Sequence, residues 1–162
     1  MTPFPAQSDP GQSDDDAQVT DIAVEAVQRA LASEHAAIWS FSLAQAFLPP
    51  DQATRARGDL EAHKKLREFA TALLSGLGKR PVSAQPAYTP PQPVVDAVSA
   101  GALLVAAETD SVAAWRSVLE RSTSTRLRAN ALRAMVDSTG RLAFWRGATD
   151  RAPAVPVFPG RG

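Results

Sequence analysis

This chain of 162 residues has no cysteine. Disulfides, thiolate nucleophiles and zinc–thiolate sites are therefore excluded. It has two histidines, His35 and His63, so a three-histidine metal site cannot be built within one chain. Excess charge of either sign is missing too: 17 basic residues balance 17 acidic ones. Binding to nucleic acid is mostly phosphate neutralisation, so a neutral chain is a poor candidate, and the basic run from Arg121 to Arg133 reads as a solvated face. No apolar run approaches the roughly 20 residues of a membrane span, and the first residues lack a signal peptide's basic and apolar regions. The expectation is a soluble cytoplasmic protein that binds neither membrane nor nucleic acid. No G-x-S-x-G, phosphate-binding glycine loop or dinucleotide fingerprint occurs.

What the chain does have is alanine, 31 residues of it, mostly inside segments of helical period. Residues 1–19 carry three prolines and four aspartates without a lysine or arginine, the composition of a disordered acidic tail. Residues 149–162, with RAPAVPVFPGRG, read as an extended proline- and glycine-rich tail in which Val155, Val157 and Phe158 could lie in a groove on the body. Residues 20–148 between them form one domain of four helical segments.

The first helix is expected from about Thr20, as N-cap, to Leu48 before Pro49. Its seam runs in steps of three and four: Val24, Val27, Leu31, Glu34, Ile38, Phe41, Gln45, Leu48. Beside it Ala23, Ala30, Ala37 and Ala44 form a small-residue stripe that permits close helix approach. The second helix begins near Asp51, ends in SGLGK and carries Leu60, His63, Leu66, Ala70, Leu73 and Leu77 inward. GKRPVSAQPAYTPPQP follows, with five prolines in sixteen residues, a stiff connection long enough to run the length of a bundle. The third helix is expected from Pro93 to Glu120, with the seam Val94, Val98, Gly101, Val105, Glu108, Val112, Trp115, Leu119. The fourth spans about 125–147, with an apolar arc of Leu132, Met135, Val136, Leu142 and Ala143. Hairpin, long crossover, hairpin describes an all-α, ferritin-like antiparallel four-helix bundle.

Two carboxylates, Glu34 and Glu108, interrupt otherwise apolar seams at comparable places, a faint internal repeat. A buried unpaired carboxylate costs several kcal/mol, so each needs a partner, a proton or water. His63, His35 and Arg128 are the candidate donors. Neither histidine has a serine or threonine nucleophile recognisably beside it, so a general base has little support. Trp39 and Trp145 flank their seams and Trp115 lies on one. With the alanine stripe, such marginal aromatics suggest a homodimer.

The segments ALASEHAAIWSF, RARGDLEAHKKLREFATALLSGLGKRPVSAQPAYTPPQPV and AETDSVAAWRSVLERS resemble the DUF4439 ferritin-like proteins, an actinobacterial family whose activity is unassigned, over about residues 22–148. The resemblance implies a ferritin-like bundle. Di-iron members of that fold take a glutamate from each of two helices and a Glu-x-x-His pair from each of the others. Glu34 and Glu108 match the single glutamates and His63 one histidine, but Leu60 stands where its glutamate partner belongs, and Glu61 points about 200° away. Asp137, the only acid of the fourth helix, is expected to face outward, and no histidine follows His63. The site residues are thus Glu34, His63 and Glu108 as an incomplete metal set. The expectation is a degenerate di-iron site in a non-catalytic structural or protein-interaction module without cofactor. The alternatives are a metal-binding or weakly redox protein that uses iron or manganese, and a small-molecule site between the helices.

Overall fold

The structure is a computed structural model that describes residues 19–150 together with Ala154, Val157, Pro159 and Gly160. The acidic N-terminal segment, and Val155 and Phe158 of the C-terminal one, lie outside the described residues. Val157 is 81% exposed, while Gly160 comes back against Val112 and Arg116.

Four helices and no strands form the described fold: α1 Asp21–Ala44, α2 Pro50–Gly76, α3 Ala97–Arg121 and α4 Thr125–Ala148. Their ends follow local chemistry. The Thr20 hydroxyl accepts from the Ala23 amide at the start of α1, and Ser124 caps α4 through Leu127 N. Such caps contribute about 1 kcal/mol each. Prolines 49 and 50 open α2, and Gly78, at φ +67°, follows its end in a conformation that suits glycine. Two boundaries differ from expectation. α1 ends at Ala44 rather than Leu48, giving way to turns over 45–47. α3 begins at Ala97 rather than Pro93, because Asp96 and Ser99 form a reciprocal capping box.

α1 packs on α2 and α3, and α3 packs on α4. The 78–93 crossover lies along α1, and Gln28 holds it in two directions: its side-chain N–H donates to Arg80 O (2.7 Å) and its carbonyl accepts from Val82 N (2.8 Å). His35 Nε2 donates to Val82 O (3.2 Å), and Tyr88 rests against Trp39 with centroids 5.9 Å apart. The start of α3 meets the end of α4 so closely that a Cβ on Gly101 would fall 2.5 Å from Thr149 Cγ2. Any larger residue there would force the Thr149 side chain to move.

The apolar core has two parts. One gathers Val27, Leu31, Leu74, Trp115 and Leu127 toward the N-terminal half of α1. The other gathers Phe41, Ala44, Ala56, Leu104, Leu142 and Trp145 toward its C-terminal half. All four alanines of the α1 stripe are buried inside the bundle, as is Trp145. The alanine stripe and Trp145 are therefore used within the chain, whereas Trp39 is half-buried beside Tyr88.

The face of α4 is a correction. Leu132 and Val136 are 46% and 56% exposed, and the buried line is Leu127, Ala131, Ala134, Ser138, Arg141, Trp145, spaced four, three, four, three, four. Leu142 is buried and Met135 packs against both apolar clusters as expected, but the middle of the buried line is small and polar, and hydrophobicity there pointed to Leu132 and Val136 on the wrong side of the helix. Val98 is likewise exposed. α3 also departs from the expectation that no segment is apolar enough for a membrane span. By length and composition it qualifies, with a mean hydropathy of 1.3 over its best window, 56% of which is buried in the bundle. Glu108 sits within the same helix. The core role of α3 accounts for its composition.

A closed polar ring as candidate functional site

Between the two apolar clusters, each helix contributes to one polar layer. α1 provides Glu34, α2 His63, α3 Glu108 and Ser111, and α4 Ser138 and Arg141. Glu34, His63, Glu108, Ser111 and Ser138 are 0% exposed and Arg141 is 7% exposed. The structure thus brings together the three residues singled out in the sequence and adds three that were not.

The imidazole of His63 stands between the acids. Nδ1 donates to Glu34 Oε2 at 2.7 Å and Nε2 to Glu108 Oε1 at 3.1 Å. A neutral imidazole has one donor, so a ring that faces carboxylates on both sides is the imidazolium. Burial alone lowers the His63 pKa, but the hydrogen bonds to Glu108 and Glu34 and their charges more than reverse this, raising it from 6.5 to about 9. Arg141 Nε donates to Glu108 Oε1 at 2.7 Å, and its Nη2 donates to Ser138 Oγ at 2.7 Å. Ser111 Oγ donates to Glu34 Oε1 at 2.8 Å. The Ser111 proton is spent there, so at the 3.1 Å contact between the two serines Ser138 is the donor.

These bonds close a circuit: Arg141 to Ser138, Ser138 to Ser111, Ser111 to Glu34, His63 to Glu34 and Glu108, and Arg141 back to Glu108. Each of these bonds joins one donor to one acceptor, and two cations face two carboxylates. Trp115 Nε1 adds a bond to Glu34 Oε1 at 2.8 Å, so Glu34 receives three donors on two oxygens. Glu108 is served less evenly, with both its partners on Oε1 and Oε2 without one.

Of the donors proposed from sequence, His63 fills the role. His35 instead holds the crossover, and Arg128 reaches the backbone oxygens of Leu119 and Ser122 at the end of α3. Leu60 packs against the apolar cluster, and Glu61 pairs outside with Lys64. Arg141 and Ser138 carried one legible signal, their three-residue spacing on the period of Leu127, Ala131 and Ala134. That spacing matches the paired position of the fourth helix in di-iron bundles.

A divalent ion at this layer would need oxygens and a neutral imidazole nitrogen directed at one point. Both His63 nitrogens are bonded to carboxylates, and a guanidinium holds Glu108. Among the described residues no group of three or more histidines and acids is arranged to hold a metal. The residues as arranged do not fit a metal ion.

One turn before His63 on α2 is a second cluster. Asp59 takes Arg55 Nε at 2.9 and 3.0 Å and Trp145 Nε1 at 3.0 Å, and the Arg55 guanidinium lies 4.4 Å from the centroid of Phe144. This cluster joins α2 to α4.

Residues 26–162 match the family model described as a domain of unknown function, DUF4439. The chain belongs to this family. A conserved hypothetical protein from Mycobacterium tuberculosis shares the DUF4439 chain's structure with a TM-score of 0.78 at 29% identity, over 86% of this chain and 98% of that one. A protein from Bacillus anthracis described as ferritin-like and diiron-carboxylate superposes with a TM-score of 0.71 at 13% identity, over 85% of this chain and 99% of that one. The second likeness shows the fold alone. No curated protein matches the sequence.

Proposed function

We propose that this DUF4439 chain is a ferritin-like bundle with a degenerate di-iron site, its own cations standing where metal would be, and that it serves as a non-catalytic structural or protein-interaction module. The observation that carries this reading is Arg141 on Glu108, at 2.7 Å with both groups buried. With His63 it brings the positive charge that two buried carboxylates require. In favour of residual iron or manganese binding stand the convergence of Glu34, His63 and Glu108 and the free Oε2 of Glu108. Against it, the imidazolium would have to lose one proton and Arg141 would have to leave a buried layer.

The test is elemental analysis of the purified full chain after anaerobic loading with ferrous iron or manganese, beside a Glu34→Ala/Glu108→Ala double variant. Neither protein is expected to hold stoichiometric metal. Stoichiometric metal in the unaltered chain that disappears in the double variant would overturn the reading.

A further inference from the structure

A cavity of about 400 Å³ lies away from the ring, between α1, α3 and the crossover. Its size falls within the range of small-molecule sites. Alanines on the facing sides of α1 and α3 leave the space, and Tyr88 to Pro91 cover it, their prolines stiffening the cover. Trp39 and Tyr88, their rings tilted by 48°, form an aromatic corner in its wall.

Two polar groups at this cavity are unmatched. Ser33 Oγ is buried without a hydrogen-bond partner. Asp110, exposed at the rim, has no ion pair or hydrogen bond among the described residues, whereas Glu25 on α1, Glu61 on α2 and Glu120 on α3 each have a basic partner. Partial desolvation at the rim raises the Asp110 carboxyl above its ordinary pKa of 3.8.

We infer that this cavity is a binding site for a small organic ammonium ion with an apolar body. The cation would lie between the Asp110 carboxylate and the faces of Trp39 and Tyr88, and the body would rest on the alanine floor. A cation restores the charge missing at Asp110 and gains from the aromatic faces. A neutral ligand of the same shape gains only the apolar contact, and an anion is repelled. This inference is independent of the central ring and holds whether or not the ring takes metal.

The test is isothermal titration of the full chain with phenethylammonium, choline and spermidine, and with 2-phenylethanol as the uncharged counterpart of the first. At least one ammonium ion is expected to bind saturably, and phenethylammonium at least tenfold more tightly than 2-phenylethanol. Asp110→Asn, an exposed change checked for folding by circular dichroism, should remove that tenfold preference. Trp39→Ala should weaken all of the binding. Failure of all three cations to bind saturably, or a preference that survives in Asp110→Asn, overturns the inference.

Discussion

Two polar clusters tie this bundle together with nearly the same parts, at different depths. Each has a carboxylate that accepts a tryptophan N–H, Glu34 from Trp115 and Asp59 from Trp145, and each contains an arginine–carboxylate pair. In the ring, Glu108 is fully buried and Arg141 is 7% exposed, and each bond of the circuit joins one donor to one acceptor. At the outer cluster the Arg55 side chain is 40% exposed, so water can replace it. The same chemistry is therefore obligatory in one place and optional in the other. Burial sets that difference, because an unpaired charge in a dry layer has no substitute partner.

The sharpest way to break the comparison is to remove one cation from each cluster. Arg141→Met leaves Glu108 short of charge and should cost about 3–5 kcal/mol in urea denaturation. Adding Glu108→Met should recover a good part of that loss, so a double-mutant cycle should show a large coupling energy.

The next effect is a pH dependence that only the ring should show. His63 titrates near 9 in the fold against 6.5 for the ordinary group. Its contribution is complete below pH 6.5 and is lost as pH rises to about 9, roughly 3 kcal/mol in all. Stability measured across that window should fall, and His63→Gln should flatten the slope.

Trp115→Phe removes one of three donors to Glu34 and is expected to cost about 1–3 kcal/mol. Trp145→Phe should cost less, because Asp59 keeps Arg55 and lies nearer to water. Calorimetry of the pair would rank them, and the opposite order would contradict the assignment by depth.

The smallest effect belongs to Arg55→Ala, at most about 1 kcal/mol and diminished by salt. A loss equal to that of Arg141→Met would mean that the outer cluster is as sealed as the ring.

The fold was largely legible in the sequence because its signals are local: Thr20, Pro49 and Pro50, Gly78, and the proline-rich crossover each act on their own stretch of chain. Glu34, Glu108 and His63 stood out because they broke apolar lines. Arg141 and Ser138 did not, for the line they interrupt on α4 runs through Ala131 and Ala134. Alanine is too weakly hydrophobic to mark a buried face, and Leu132 and Val136 drew attention to the exposed one. Asp59 was hidden for a related reason. Its partner Arg55 lies four residues away, where a surface pair is the ordinary reading, and the burying contact comes from Trp145.

The ring also bears on the order in which the chain can assemble. Glu34 and His63 belong to the first hairpin, Glu108 and Arg141 to the second, so each half carries one acid and one base bonded to each other. The halves can then meet as two dipoles, with no bare charge stripped of water on the way. Docking adds the bonds from His63 to Glu108 and from Ser111 and Trp115 to Glu34. None of these exists until both halves are formed and in register. A hairpin docked one turn out of place would lose all three at once, so the layer discriminates the native register of the two halves from a slipped one.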